Sequence, residues 1–309
     1  QDLAQALTRR GVTTRCSDYV LEEAVPSPAQ SVVYRISKEK AVVHHIVNQS
    51  GKVLAPGGRL ILIGHKREGL LTYGKNAARY LGTDPQLQRG NKGYAALTLA
   101  RGDHLAAPLP DSDYPRLRRC IEIDGISLAS KPGIYGWQKI DQGSLALLEG
   151  LDLLIAKDPP NQTPAPDLLD LGCGYGLLSV LAQRRLGGLV TATDNNLAAV
   201  AACTSNFEMH RIRGQVIADD CAQHIDRQFD WVLCNPPFHQ GFKTSKELTR
   251  RFVEQATAHV KPGGRALFVV NQFVAIERHA AACFSDSDEI LRRDGFKILR
   301  MSGPKRPPT

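Results

Sequence analysis

The sequence predicts an α/β protein: a Rossmann-like, mostly parallel sheet with an antiparallel terminal hairpin, preceded by a second, smaller copy of the same plan. Three features of the second half predict this fold. Strand-like apolar runs alternate with helical patterns between residues 167 and 271. A glycine-rich turn, GCGYG, follows the first run at 172–176, and Asp294-Gly295 separates the last two runs. Strands that alternate with helices form parallel sheets, and Asp-Gly is a strong two-residue hairpin signal.

Apolar periodicity places the elements of the second half in order. Strands are expected where short runs are rich in aliphatic and β-branched residues, and helices where apolar residues recur at three- and four-residue spacing. The expected strands are 167–173, 189–193, 214–218, 229–234, 265–271, 288–293 and 296–301, and the expected helices begin near Gly143 and span about 177–186, 195–209 and 246–260. A Pro-rich stretch, 103–133, is expected to link this half to the first.

The first half carries part of the same plan. A strand at 31–36 and a helix at 38–54 are followed by APGG and a strand at 59–64. The same order of strand, helix, PGG turn and strand occurs within 230–271. This self-similarity predicts an internal repeat, although PGG turns are also common in unrelated α/β proteins. Because the chain starts abruptly at Gln1, we expect the first copy to lack its early strands.

The two copies differ at the end of their first strand. Where the second copy reads Asn235-Pro-Pro-Phe238, the first reads Arg35-Ile-Ser-Lys38, and the first copy shows no glycine-rich turn. We therefore expect two domains: a degenerate one at 1–125, without the chemistry, and a catalytic one at 126–309.

Composition limits the class of protein and its partners. No apolar run reaches 18 residues and no signal pattern is present, so we expect a cytoplasmic protein without a membrane partner. The seven cysteines are scattered without a CxxC pair, which argues against disulfides and against a metal site. Residues 1–125 hold 18 Lys and Arg against 12 Asp and Glu. This excess predicts a polyanionic partner, although a mildly basic surface without a partner has the same composition.

The glycine-rich turn predicts a cofactor loop. Glycines after a strand let the backbone approach a ligand closely and open a helix whose N–H groups face that ligand. Gly172, Gly174 and Gly176 give GxGxG, whereas a dinucleotide fingerprint requires GxGxxG, and Leu177 takes the place of its third glycine. The spacing therefore argues against an NAD-dependent oxidoreductase.

Acidic residues end three successive strands and narrow the choice of cofactor. Asp170 precedes the loop and can accept from an ammonium group or a water, and Asp194 ends the second strand, where a carboxylate can take both ribose hydroxyls. Asp219 or Asp220 ends the third strand, within reach of an adenine amino group. This set favours S-adenosylmethionine, although a strand-end Asp can also cap the next helix. The predicted cofactor-binding residues are Asp170, Gly172, Cys173, Gly174, Asp194, Asn195, Asp219, Asp220 and Asn235.

The tetrapeptide Asn235-Pro236-Pro237-Phe238 follows the fourth strand, where two prolines must at least end the sheet ladder. In a doubly wound sheet this position lies beside the glycine loop, where ligands bind. An exocyclic amine of a base is a poor nucleophile, because its lone pair is delocalised. The Asn235 oxygen and the Pro236 carbonyl can hold its two N–H groups, and Phe238 can stack on the base. We therefore predict that these four residues form a methyl-acceptor site.

The motifs resemble those of a known family. The (N/D)PP(Y/F) tetrapeptide is similar to that of class I amino-methyltransferases. The longer pattern resembles the bacterial rRNA guanine-N2 methyltransferases of the RsmC and RlmG kind. The motifs that carry the resemblance are VLCNPPFHQG (232–241), DLGCGYG (170–176), KPGIYG (131–136), VVNQF (269–273) and FKILRM (296–301).

The resemblance implies a degenerate N-terminal and an active C-terminal methyltransferase domain, with the first holding RNA. The expected partner is ribosomal RNA or an assembling ribosomal subunit, and we expect a monomer. It implies that Asn235 to Phe238 form the acceptor site and that Asp170, Gly172, Gly174, Asp194 and Asp220 contact S-adenosylmethionine. The short N-terminal half departs from the family's pattern.

Several assignments stay open at the level of sequence. His239 can contact RNA or anchor its own loop, and Lys243 can approach a phosphate or belong to a solvated helix face. Asp141 can cover the cofactor or cap the helix that follows it. Similar tetrapeptides serve adenine-N6 and protein-glutamine methylation. A protein of another class, a non-catalytic RNA-binding or assembly factor, would keep the same fold.

Overall fold

The computed structural model describes residues 6–25, 28–159, 165–237 and 242–305, without the side chains of Ala24 and of 242–246. The chain divides into two units, Asp2–Arg116 and Leu117–Thr309. The predicted boundary at 125/126 lies later, inside a two-stranded hairpin that belongs wholly to the second unit. Over the described residues no helix has the length and apolarity needed to cross a bilayer.

The first unit is an α/β layer whose sheet has the order β1-β2-β4-β3 over the described residues. Its elements are α1 (Leu21–Ala24), β1 (Ala29–Arg35), α2 (Lys40–Val53), β2 (Leu54–His65), a 3-10 turn (Lys66–Glu68), α3 (Leu70–Leu81), β3 (Gln86–Arg89) and β4 (Tyr94–Ala100). Strands β1 and β2 are parallel, whereas β4 runs antiparallel to both β2 and β3. Alternate residues of β2 and β4, such as Leu60 and Leu97, are buried against α2 and α3.

The second unit begins with a hairpin and continues into a larger sheet. Its elements are β5 (Arg118–Ile123), β6 (Ile126–Ser130), α4 (Gln142–Lys157), β7 (Leu168–Leu171), α5 (Leu177–Leu186), β8 (Val190–Asp194), α6 (Leu197–His210), β9 (Gly214–Ala218), β10 (Phe229–Cys234), α7 (Phe242–His259), β11 (Val260–Asn271), α8 (Glu277–Cys283), β12 (Phe284–Arg293) and β13 (Phe296–Pro304). In the described residues the sheet order is β12-β13-β11-β10-β7-β8-β9, with β12 and β13 antiparallel. This confirms the predicted mostly parallel sheet with a terminal hairpin.

The central strands of the large sheet, β7, β8 and β10, are buried on both faces, which explains their mostly apolar sequences. Leu168, Trp231 and Leu233 pack on one side with α4, α5 and α6. Leu169 and Val232, which alternate with them, pack on the other side with α7 and α8. Strand β7 lies between β8 and β10, so the strand order reverses there. The carboxyl ends of β7 and β10 therefore border the crevice in which ligands bind in such sheets.

The predicted internal repeat is confirmed by sheet order and register. The order β1-β2-β4-β3 matches β10-β11-β13-β12 in the second unit, with the same directions. In β1 and β2 the pairing moves from Ala29–Leu54 to Ser31–Arg59. In β10 and β11 it moves from Phe229–Val260 to Trp231–Arg265. Both copies thus place the PGG turn in the same irregularity, and Arg35 takes the position of Asn235.

The predicted linker at 103–133 is wrong over its second half, where β5 and β6 form the hairpin. Asp124 and Gly125 connect these strands with φ of +49° and +73°. Both values are positive, as a two-residue hairpin turn requires. The same dipeptide at 294–295, with φ of +50° and +81°, forms the predicted turn between β12 and β13.

Candidate active site

The glycine-rich turn after β7 forms the floor of the site. Gly172, Gly174 and Gly176 have φ of +85°, +54° and +90°, values that favour glycine. The N–H groups of Gly172 and Cys173 donate to the Thr193 carbonyl at 2.9 Å, which ties the turn to β8. At Gly174 a side chain would meet no atom within 4 Å. The turn thus leaves open space beside the N-terminus of α5.

Cys173 contributes to packing within this turn. Its side chain is buried, and a hydrogen bond with Cys203 together with burial raises the pKa of the thiol. Cys203 also explains Gly176, because a Cβ there would lie 2.7 Å from the Cys203 sulfur. The side chain of Cys173 is therefore occupied in packing, and the cofactor contact expected at Cys173 stays a prediction.

Asp170, in β7 just before the glycine turn, carries a buried carboxylate. Its Oδ2 accepts from the Ser179 hydroxyl at 2.5 Å. Its Oδ1 is buried and meets no hydrogen-bond partner among the described residues. Burial, with a smaller effect from the charge of Asp194, raises the pKa of Asp170 to about 7. An unpaired buried carboxylate oxygen beside a glycine loop fits a ligand that brings a cation or an N–H donor.

Asp194 closes the end of β8. Its two oxygens accept from the N–H groups of Gly174 at 2.9 Å and of Asn196 at 2.8 Å. Burial raises the pKa of Asp194, and these backbone hydrogen bonds oppose the shift. Each carboxylate oxygen keeps a second lone pair, so the group can still accept from a ligand hydroxyl.

The structure separates the roles of Asp219 and Asp220. Asp219 is buried and accepts from the Asp220 N–H at 2.7 Å, and from the N–H and the Nδ1 of His224 at 3.0 and 2.8 Å. Burial disfavours its charge, but the hydrogen bonds from His224 and from the backbone outweigh it and lower the pKa. Asp220 is partly exposed, is 2.8 Å from Arg251 and accepts from Asn195 Nδ2 at 3.3 Å. Asp220 therefore presents the accessible carboxylate, whereas Asp219 holds the turn after β9.

Asn235 lies at the end of β10, beside the end of β7, since Cys234 pairs with Leu171. Its Nδ2 donates to Asp141 Oδ2 at 2.5 Å and to Ser144 Oγ at 3.0 Å. Asp141 is the N-cap of α4 and accepts from the Ser144 N–H at 2.7 Å. The capping role weighed for Asp141 is thus observed, and the contact with Asn235 is additional.

The segment between β6 and α4 contacts the residues that follow β7 and β8. Asn196 Nδ2 donates to the Gly133 carbonyl at 2.8 Å, and the Tyr175 hydroxyl donates to the Lys139 carbonyl at 3.2 Å. These contacts place Gly133 of the KPGIYG motif beside the end of β8, and Lys139, which follows the motif, beside the glycine turn. Sequence reasoning missed Asn196 and Tyr175, because only the fold brings their partners close.

Of the residues predicted to form the acceptor site, Pro236 is buried and Pro237 is exposed. Phe238 and His239 lie outside the described residues, and so does the side chain of Lys243, whose backbone belongs to α7. An aromatic side chain that was not predicted as a site residue is Phe273, just beyond the carboxyl end of β11. It is 86% exposed, and its N–H donates to Asn271 Oδ1 at 3.1 Å.

Comparison with known proteins identifies the family of this chain. The family model of the methyltransferase small domain matches residues 125–300. The ribosomal RNA small subunit methyltransferase C of Pseudomonas paraeruginosa is 32% identical over 256 residues, 81% of this chain and 72% of that protein. The protein of the same name from Photorhabdus laumondii is 25% identical over 282 residues, 91% of this chain and 79% of that protein.

A solved structure also resembles this chain over both of its units. It is a 16S rRNA N2 methyltransferase from T. thermophilus in complex with AdoMet and guanosine. The match has a TM-score of 0.82 at 26% identity and covers 97% of this chain and 79% of that chain. These matches show that the chain belongs to the family of ribosomal RNA small subunit methyltransferases C, and that residues 125–300 form its methyltransferase small domain.

Proposed function

We propose that this protein transfers a methyl group from S-adenosylmethionine to the exocyclic N2 amine of a guanine in small-subunit ribosomal RNA. The observation that carries this proposal is the position of Asn235, at the strand end beside the glycine turn and the unpaired oxygen of Asp170. The names of the relatives support the choice of guanine and of ribosomal RNA.

The residues around the glycine turn fit S-adenosylmethionine. When bound, it supplies an electrophilic methyl group on a sulfonium. Asp170 Oδ1 is assigned to the ammonium group of this cofactor, and Asp194 to its ribose hydroxyls. Asp220, with Asn195 beside it, is assigned to the adenine amino group. The turn around Gly174 admits a ligand against the backbone, because no atom occupies that space.

The acceptor side must make a weak nucleophile reactive. Asn235 Oδ1 and the Pro236 carbonyl each accept one N–H of the guanine amine, which orients its lone pair. The two prolines restrict the backbone and hold that carbonyl in place. No general base is required before the new N–C bond forms, because the amine can lose its proton to water afterwards. Phe238 is assigned to stacking on the base, which must leave its own stack to enter the site.

The first unit is proposed to hold RNA through phosphate contacts. One edge of its sheet gathers the carboxyl ends of β1, β2 and β3 and the start of β4. We call this the basic edge. Its exposed cations without an ion-pair partner in the described part of the chain are Lys38, Lys66, Arg67, Arg89 and Lys92. Tyr94 lies among them, 46% exposed, with Arg35 5.5 Å from its ring centre.

Two features suit an RNA substrate. The basic edge combines phosphate-binding charges with an exposed aromatic ring, as single-strand binding surfaces do. In the second unit, Phe273 exposes most of its ring just beyond the carboxyl end of β11, the strand next to β10, and is proposed to stack on a base that flanks the target. We expect the substrate to be free RNA or an assembling subunit, and the reaction to take place in the cytoplasm.

The test is transfer of a labelled methyl group to undermethylated small-subunit RNA and to assembling particles, followed by nucleoside mass spectrometry. Label in N2-methylguanosine is expected, whereas label in N6-methyladenosine or in protein would replace the proposed acceptor. Failure to bind S-adenosylmethionine in calorimetry would favour a non-catalytic RNA-binding protein.

The Asn235→Ala variant tests the acceptor site directly. Because Asn235 faces the acceptor amine, we expect the variant to keep its cofactor affinity within about twofold and to lose transfer by about 100-fold or more. Calorimetry and the methyl-transfer assay measure the two quantities. Undiminished turnover would remove Asn235 from the acceptor site.

A further inference from the structure

We propose that Asp141 and Ser144 are positioning residues that fix the orientation of the Asn235 amide, so that its oxygen faces the acceptor amine. The inference rests on the proposed function of Asn235 and adds to it a pair of residues on α4. Neither residue touches substrate in this scheme, and both act through Asn235.

The orientation follows from the chemistry of the partners. An amide side chain can be turned by half a rotation with little change in shape, which exchanges its oxygen and nitrogen. An ionised carboxylate accepts hydrogen bonds and donates none. With Asp141 Oδ2 2.5 Å from Nδ2, the exchanged orientation would set the amide oxygen against a carboxylate oxygen. Asp141 therefore selects one of the two orientations.

Ser144 supports the orientation that Asp141 selects, because its hydroxyl oxygen can accept from the second N–H group. Its hydroxyl is 3.0 Å from the same Nδ2, so the two N–H groups of the amide have two acceptors. Among the described residues Asn235 Oδ1 has no hydrogen-bond partner, so this oxygen remains available. The arrangement holds an acceptor ready before the substrate enters, which lowers the cost of organising the site during the reaction.

Gly143 shows how closely α4 approaches Asn235. A Cβ at this position would lie 3.2 Å from Asp141 Oδ2, 3.3 Å from Asn235 Nδ2 and 3.3 Å from the Phe296 ring. Its conformation is helical and does not itself require glycine. The absence of a side chain is therefore explained by the space that the Asp141–Asn235 contact occupies.

The test compares two replacements of Asp141 that cap α4 equally well. Ser and Asn are both good N-caps, so Asp141→Ser and Asp141→Asn should keep the thermal stability of the protein. An Asn side chain at position 141 can keep an oxygen within hydrogen-bond distance of Asn235 Nδ2, whereas the shorter Ser side chain does not reach that nitrogen. We expect kcat to fall about 10- to 100-fold in Asp141→Ser, and clearly less in Asp141→Asn, with cofactor affinity unchanged in both.

A merely structural role for Asp141 predicts a different result, namely equal kcat in the two variants. Equal kcat, or wild-type kcat in Asp141→Ser, would overturn the inference. Ser144→Ala is the companion variant, since it keeps the backbone N–H that Asp141 caps and removes only the second acceptor. A smaller decrease in kcat, with unchanged melting temperature, is expected for it.

An exchange of charges gives a second, independent readout. Asn235→Asp alone places two carboxylates at hydrogen-bond distance, so one of them must hold a proton. The double variant Asp141→Asn/Asn235→Asp restores one donor and one acceptor, and leaves a carboxylate oxygen toward the amine. We expect it to be at least about 10-fold more active at neutral pH than Asn235→Asp alone. A double variant no better than the single one would reject the positioning role.

The same experiments separate this inference from the proposed function. If Asn235→Ala abolishes transfer while Asp141→Ser retains full kcat, the acceptor site stands and the positioning role fails. If Asn235→Ala retains full activity, the acceptor site itself is wrong.

Discussion

At the level of single residues, Asp170 combines a hydrogen bond from Ser179 with a second carboxylate oxygen that meets no partner among the described residues. Its pKa is about 7 because the group is buried. In the free protein it is therefore largely protonated below pH 7 and largely ionised above it. A ligand with a positive charge at Asp170 Oδ1 must bind the ionised form.

This ionisation predicts a pH dependence of cofactor affinity. Below about pH 7 the affinity for S-adenosylmethionine should rise by up to about tenfold per pH unit, and it should level off above. Calorimetry between pH 5.5 and 8.5 measures this. The Asp170→Asn variant should bind S-adenosylmethionine more weakly at pH 8, and its affinity should depend much less on pH below 7. A slope that persists in Asp170→Asn would assign the proton to another group.

The stability of the free protein should change with pH in the opposite sense. Asp170 binds its proton more tightly in the folded chain than in the unfolded one. Its stabilising contribution is therefore complete below about pH 4 and is lost as the pH rises through about 7. Burial also raises the pKa of Asp194, so Asp194 contributes to stability in the same direction. The Asp170→Asn variant should therefore remove only part of the decrease in stability that occurs as the pH rises.

Which residues could be predicted depends on how local their signal is. Asp170, the three glycines and Asn235 stand in short motifs, each at the end of a strand. The contact between Asp141 and Asn235 joins residues 94 positions apart, and no spacing in the sequence predicts it. Asp219 and Asp220 were indistinguishable in sequence, because only their partners in the fold separate a buried turn from an accessible carboxylate.

At the level of elements, α4 meets the site through its first turn. The helix begins at Gln142, and its N-cap, Asp141, serves at once the Ser144 N–H and the Asn235 amide. A change that favours the helix can therefore disturb the site.

Gly143→Ala is predicted to separate stability from activity. Ala is the better residue in a helix by about 0.5–1 kcal/mol, which offsets part of the cost of the new contacts. The added methyl group lies against Asp141 and Asn235, so we expect a lower kcat with little change in melting temperature. Gly150→Ala is the contrasting variant, because its Cβ would lie 2.8 Å from Ile298 in the core and should lower the melting temperature. An unchanged kcat in Gly143→Ala would show that Asn235 tolerates the shift.

Predictability also differs among the elements. The predicted bounds of β9 and β10 match the structure. Strand β10 is almost wholly buried and apolar from Trp231 onward, whereas β9 is a partly exposed edge strand whose signal is a short apolar run followed by two aspartates. The hairpin of β5 and β6 was missed although Asp124-Gly125 carries the same turn signal as Asp294-Gly295. Its strands, RRCIEI and ISLAS, are short and partly polar, so the neighbouring prolines dominated the interpretation. Helices α3 and α8 were missed because no motif marks them in the sequence.

At the level of the whole molecule, positive charge is unevenly distributed. The first unit carries most of the excess, and its basic edge gathers exposed cations from three loops. Neutralising phosphates with such side chains releases counterions, which makes RNA binding depend on salt.

The double variant Lys66→Ala/Arg67→Ala is predicted to weaken RNA binding. The slope of the logarithm of the RNA-binding constant against the logarithm of the salt concentration should decrease in magnitude by about one for each phosphate that is no longer neutralised. Cofactor affinity should stay unchanged, because both residues belong to the first unit. Lys75→Ala/Arg79→Ala on α3 removes the same charge away from the basic edge and is the matched control. Equal slopes in the two double variants would contradict a specific role for the basic edge.

The register shift that β1–β2 and β10–β11 have in common also limits what protein engineering can achieve in the first unit. Grafting Asn-Pro-Pro-Phe onto positions 35–38 would reproduce the local backbone, yet it should not create a second methylating centre. The proposed site uses the ends of two adjacent strands, β7 and β10, and over the described residues β1 has no neighbour equivalent to β7. Duplication of a strand–helix–strand unit therefore reproduces its backbone but does not supply the neighbouring strand whose glycine turn completes the proposed site.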